Sequence, residues 1–100
     1  MPEEQKILRL GDVWRTCNKI RAAIFRVGFN LWSYYKPLDP ENNSLISESK
    51  FISVLAGPLK DQIGLSDKEI CDLADYFRVQ DGRIFYTQFI SIIQDSGMTI

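Results

Sequence analysis

From Leu8 onward, apolar side chains recur at three- and four-residue steps: Leu10, Val13, Trp14, Cys17, Ile20, Ile24, Phe25, Leu31, Trp32 and Tyr35. Such steps follow the helical turn. They predict one long helix, or two helices meeting near Gly11-Asp12 or Gly28, with an inner stripe that includes Trp14 and Phe25. The pattern ends before Pro37, which biases Lys36 away from the helical region. Proline, asparagine and serine crowd the stretch 37–47, the strongest loop signal in the chain, around an apolar pair, Leu45-Ile46. Ser47 is the expected N-cap of a second helical pattern with Phe51, Val54 and Leu55 inside, and Gly57-Pro58 marks its end or a bend. Ser66-Asp67-Lys68-Glu69 reads as a capping box before Ile70, Leu73, Ala74 and Phe77 at helical spacing. Val79-Gln80-Asp81-Gly82-Arg83 is a turn, Ile84-Phe85-Tyr86 is β-prone, and Thr87 is the expected cap of a last helix with Phe89, Ile92 and Ile93 inside. Gly97 opens a polar tail expected to fray. The plan is helix, loop with a short strand, helix, linker, and then the same again.

One hundred residues, 45% apolar and 12% aromatic, make one folded domain with one core. Twelve Lys and Arg against thirteen Asp and Glu leave a formal charge of −1. Nucleic acid and anionic membrane are therefore not expected partners. No apolar run is long enough to span a bilayer. The N-terminus is polar and acidic where a signal peptide would be basic, so a cytoplasmic setting is expected. Cys17 and Cys71 both sit in apolar-periodic stretches; two half-buried thiols in a reducing compartment, or a pair, fit that placement. Without histidine a structural zinc site of the usual kind has no ligand set. Enzymatic chemistry has little support: without histidine, general-base work near neutral pH falls to a shifted carboxylate, lysine or cysteine, and although Asp72 and Asp75, three apart on one helical turn, have the spacing for a shared acid site, such pairs are common on helix surfaces.

The segment Asp39-Pro40-Glu41-Asn42-Asn43-Ser44-Leu45-Ile46-Ser47-Glu48-Ser49-Lys50 resembles the calcium loop of the EF-hand family. Tyr35 and Leu38 precede it, Ile46 holds its eighth position, and Phe51 and Leu55 follow. A second loop, 77–88, carries Gly82 at the glycine position and Ile84 at the eighth, with Leu73 and Tyr76 before it and Phe89 and Ile93 after. The resemblance implies an all-α fold, an EF-hand-like pair of helix-loop-helix units joined by a two-stranded β ribbon through Ile46 and Ile84. One domain, 1–100, would hold an N-terminal helical extension at 6–19 and units at 20–57 and 66–94.

A calcium loop needs oxygen ligands at its first, third, fifth, seventh, ninth and twelfth positions, the last a bidentate glutamate. The first loop supplies Asp39, Glu41, Asn43, the carbonyl of Leu45 and Ser47. Lys50 then puts a cation where the glutamate belongs, and Ser44 replaces the glycine of the sharp turn. Phe77 and Val79 cannot ligate in the second loop. No metal or other cofactor is expected at cellular calcium, with weak binding at millimolar calcium as the alternative.

The resemblance therefore implies a calcium-independent protein-interaction or scaffold domain. Its partner would be another protein, an amphipathic helix or a cytoskeletal component, in a cytoplasmic, cytoskeletal or ciliary setting. A regulatory module using the first calcium loop is the rival function, and a helical bundle without EF-hand topology the rival fold. Trp32 and Tyr35 share the inner stripe and are expected to pack inside. Phe29 and Tyr34 lie off it and are expected to meet a partner. Trp14 joins them, because the segment before Ile20 is too long for a first EF-hand helix and either fills the domain's own groove or docks elsewhere.

Overall fold

A computed structural model describes residues 2–95, with side chains described for 11–94. The expected tail at Gly97 and the inner position of Leu10 lie outside those limits. Helix α1, Pro2–Val27, runs without a break through residues 19 and 20. The break comes instead at Gly28, whose φ of +92° is a left-handed conformation that suits glycine, and whose amide donates to the Ile24 carbonyl at 2.7 Å. Asn30 then caps α2, Leu31–Tyr35, by accepting from the Trp32 amide at 3.0 Å. A 3-10 turn over Lys36–Leu38 accommodates Pro37.

Strand β1, Leu45–Ile46, leads into α3, Glu48–Ala56, which Ser47 caps by accepting from the Lys50 amide. The linker contains a short helix that the sequence pattern does not announce, α4, Lys60–Ile63. Both halves of the Ser66/Glu69 capping box form at the start of α5, Asp67–Phe77. Strand β2, Ile84–Phe85, runs directly into α6, Tyr86–Ile90, which continues as a π-helical turn over Ser91–Asp95. Thr87 caps nothing: α6 begins one residue earlier and has no side-chain cap. The two strands pair antiparallel with Leu45 opposite Phe85 and Ile46 opposite Ile84. The result is a mostly helical domain with a short two-stranded ribbon and a long N-terminal helix.

The core is built on aromatic rings brought together by that ribbon. Tyr35 stacks on Phe51 at 5.6 Å, Phe51 meets Phe89 edge-on at 5.0 Å, and Phe89 meets Phe77 at 5.4 Å. Offset and edge-on pairs of this kind add about 0.5–1.5 kcal/mol each beyond their buried area. The Tyr35 hydroxyl donates to the Phe51 carbonyl at 3.0 Å, so no polar atom is stranded, and burial pushes its pKa well above the usual value. Helix α1 packs across α5, α4 and the π turn. It buries Val13, Cys17, Ile20 and Ala23 in the same core.

The inner stripe of α1 is narrower than its apolar spacing suggests. Phe25 is 92% exposed and Trp14 55% exposed. Phe25 stands five residues from Ile20, about 140° around the helix, and so cannot face α5 when Ile20 does. Cys17 is buried and Cys71 exposed, both as free thiols. Desolvation pushes the Cys17 thiol up to about 11, moderated by the charge of Arg21.

The two loops before the strands differ in the residue at the sharp turn. Gly82 takes φ +92° where glycine is at ease, whereas Ser44 takes φ +72° with a side chain. The left-handed region costs a non-glycine residue about 1–2 kcal/mol, offset by about 0.4–1 kcal/mol of unfolded-state entropy when a side chain replaces glycine. Ser44→Gly is therefore expected to raise stability by about 0.5–1 kcal/mol, and Gly82→Ala to lower it by a similar amount. Urea denaturation of the two variants beside wild type reads both signs.

Candidate functional site

Asp39 follows the 3-10 turn and begins loop 39–50. Its side chain is only 5% exposed, a buried carboxylate whose desolvation needs compensation from hydrogen-bond donors. The loop supplies two, since the amides of Asn43 and Ser44 donate to the two carboxylate oxygens at 3.0 Å each. The third comes from the other half of the chain, where the Tyr86 hydroxyl donates to Oδ2 at 2.8 Å. Tyr86 can do this because it is the first residue of α6, two beyond the Ile84 that pairs with Ile46. Burial pushes the Asp39 carboxyl up, but the donors and the nearby Lys36 outweigh it and hold the pKa below the usual carboxylate value. The Tyr86 phenol moves the other way, to about 12, through burial and its bond to the carboxylate.

The remaining ligand positions of the resemblance line a shallow hollow of about 200 Å³ that includes Asp39, Glu41, Asn43, Leu45, Ser47 and Lys50. Arg83, from the second loop, lines it as well. Two cationic side chains thus border the place where a divalent ion would need negative charge. Asn43 is turned to local work, its side-chain oxygen accepting from the Leu45 amide at 3.1 Å. Lys36 donates to Asn42, whose φ of +57° is also left-handed. Loop 77–88 closes on itself in a similar way. Its Asp81 accepts from the Arg83 amide at 3.0 Å and from the Arg83 guanidinium at 2.7 and 2.9 Å, and those bonds to Arg83 pull its pKa down. Among the described residues, no three Asp, Glu, Cys or His side chains gather as a metal-holding group.

Asp72 and Asp75 do not share a site. Asp72 accepts from Lys68 at 2.8 Å, and Asp75 from Arg78 at 2.7 Å. Arg78 also reaches Glu48 at 2.5 Å, joining α3 to the end of α5.

The aromatics expected to meet a partner fall into two groups. Phe29 and Tyr34 are half-buried, meet edge-on at 6.4 Å and pack against the core. Trp14 is exposed, with the Arg21 guanidinium 5.8 Å from its ring centre. Trp32 is half-buried against Tyr86 at 6.3 Å, and Tyr35 is fully buried. Periodicity missed two residues that matter here. Phe25 counts in the apolar pattern but points outward. Tyr86 reads as the end of a strand, and only its place two residues after the paired Ile84 could have put it beside Asp39.

Among the described residues no helix is long and apolar enough to cross a membrane. Tyr86→Phe keeps the ring and removes the hydroxyl, so it is expected to cost about 1–2 kcal/mol of stability. The Asp39 pKa is lower folded than unfolded. Its stabilising effect is therefore present above the unfolded carboxyl pKa, near 3.8, and lost as pH falls through the depressed folded value. Acid unfolding of wild type and Asp39→Asn should show a wild-type advantage above pH 4 that shrinks below it. A constant difference between the two curves would refute the assignment. Comparison with protein-family models, curated proteins and solved structures gives no match for this chain.

Proposed function

We propose that this chain is a degenerate EF-hand pair that works without calcium, as a constitutive protein-interaction or scaffold domain. The observation that carries the reading is the way loop 39–50 is closed. Protein donors, the amides of Asn43 and Ser44 and the Tyr86 hydroxyl, satisfy the carboxylate of the first ligand position, while Lys50 and Arg83 border the hollow. The antiparallel pairing of Ile46 with Ile84 supports the EF-hand assignment, because eighth positions meet in that manner in paired loops of the resembling family.

An EF-hand sensor uses calcium to open an apolar groove. Here the N-terminal helix α1 already packs against α5. Partner contact then falls to aromatics outside the core, of which Trp14 and Phe25 are the most exposed on α1. The partner is a protein segment. The family resemblance favours a cytoplasmic setting with a cytoskeletal or ciliary component. The rival, a calcium-regulated first loop, needs Asp39 to leave Tyr86 and an ion to sit beside Lys50, and both steps oppose binding.

A heteronuclear NMR titration with calcium is the test. Resonances of Asp39, Glu41 and Asn43 are expected to stay in place up to calcium of about 0.1 mM, above the affinity range of sensor loops. Saturable shifts in the micromolar range, centred on those residues, would overturn the calcium-independent reading.

A further inference from the structure

The outer face of α1 carries a second pattern. Trp14, Asn18, Arg21 and Phe25 follow at steps of four, three and four, which places them along one side of the helix. This side is distinct from the one that buries Val13, Cys17 and Ile20. At its C-terminal end it opens onto a concavity of about 420 Å³ whose walls include Arg21, Ile24, Phe25, Phe29, Ile93 and Gln94. That volume lies within the roughly 300–1,000 Å³ of ligand pockets. The walls come from three elements fixed to one another. Gln94 accepts from the Leu31 amide at 2.6 Å and donates to Asn30 at 3.0 Å, while Arg21 donates to the carbonyls of Ile93 and Ile92 at 3.1 and 2.9 Å. The hollow is therefore formed before anything enters it.

Among the described side chains its electrostatics are one-sided. Residues 13–27 contain Arg15, Lys19, Arg21 and Arg26 and no acidic residue. Lys19 is paired with Glu69 and Arg15 with Asp12. Arg21 and Arg26 meet only uncharged oxygens among the described side chains and backbone, Asn18 and the carbonyls of Ile92 and Ile93 for Arg21, and the Gln62 carbonyl for Arg26. A guanidinium has five donors, so both retain unused ones. An almost fully exposed Phe25 thus stands between two cations whose charge no carboxylate among the described side chains answers.

We propose that this hollow and the Trp14–Arg21–Phe25 face bind an acidic peptide segment of another protein. One large apolar side chain enters beside Phe25 and Phe29, and a neighbouring Asp or Glu pairs with Arg21 or Arg26. This deepens the interaction-domain reading by naming its surface and the chemistry of its partner, and it rests on that reading only for the claim that the domain binds proteins. A peptide fits better than an anionic bilayer on two grounds. A concave pocket accepts a side chain rather than a flat surface, and among the described side chains of this face two cations without a carboxylate partner fall short of the clusters of about four to eight that lipid headgroups require.

Selection from a displayed library of random linear peptides, using the whole chain, tests the proposal. The enriched sequences are expected to share a large apolar residue next to Asp or Glu. Their binding should weaken at least tenfold in Phe25→Ala, as for a central anchor residue, and fall with rising salt. Phe25 makes little contact in the folded protein, so that variant should keep the wild-type melting temperature. Amide shifts in the complex should centre on Arg21, Phe25, Phe29 and Ile93.

No enriched motif, a basic motif, or binding unchanged in Phe25→Ala would overturn the proposal. Tighter association with phosphatidylserine vesicles than with any selected peptide would assign the face to a membrane instead. Self-association in sedimentation that vanishes in Phe25→Ala would assign it to a second copy. The calcium titration is independent of all these outcomes: calcium binding at loop 39–50 with an intact Phe25-dependent peptide site would remove the calcium-independent reading and leave this one standing.

Discussion

The hydrogen bond from the Tyr86 phenol to the Asp39 carboxylate is the contact on which the arrangement of the two halves turns. It joins the first residue of one loop to the first residue of the last helix, 47 positions apart, inside the protein. A buried carboxylate is costly unless donors surround it. Here two of the donors are loop amides and one is a side chain from the opposite unit. Loop conformation and ribbon pairing are therefore mutually dependent: move the ribbon and the carboxylate loses its phenol, open the loop and it loses its amides. An ion would serve the same electrostatic end with a charge of two. The phenol serves it with a dipole supplied by the chain itself.

Around that contact the aromatic rings do the packing that gives the shape its rigidity. Tyr86 lies 6.0 Å from Tyr35, Tyr35 lies against Phe51, and Phe51 and Phe89 meet at the centre. Two of these residues carry hydroxyls, and both are spent on acceptors within the core, Tyr35 on the Phe51 carbonyl and Tyr86 on Asp39. The polar atoms thus fix which rotamers the rings adopt, and the rings exclude the water that would weaken the polar contacts. Helix α1 completes the enclosure from the other side. Its ion pairs to α5, such as Lys19 with Glu69, lie at the exposed edge and contribute little beside the burial of Val13, Cys17 and Ile20.

Local signals carried most of the fold into the sequence. Ser47 and Ser66 announce their helices because a hydroxyl followed by free amides is a local event, settled within four residues. The inner faces of α3 and α5 are legible for the same reason, since one unbroken helix keeps one phase. The register of Ile46 on Ile84 was legible only through the resemblance between the two halves. What failed to show was set at a distance. Phe25 belongs to the apolar pattern by composition, but the phase of α1 is decided by its contact with α5, and Phe25 lies too far around the helix from Ile20 to share its buried face. The partner of Asp39 lay equally out of reach. A tyrosine at the end of a β-prone run carries no mark that its hydroxyl will meet a carboxylate from the other half. The left-handed turn at Ser44, by contrast, is visible as a single position, since a serine stands where Gly82 stands in the second loop.

The elbow between α1 and α2 is latched by residues from the far end of the molecule: Gln94 holds Asn30 and Leu31, and Arg21 holds the carbonyls of Ile92 and Ile93. These contacts join positions 63 to 72 apart in a chain of 100. Helix α1 can therefore settle on α4 and α5 before this latch forms, and the elbow is fixed only when the far end of the chain reaches it. Such long-range closure slows folding, because the entropy of a long loop must be given up before these contacts repay it.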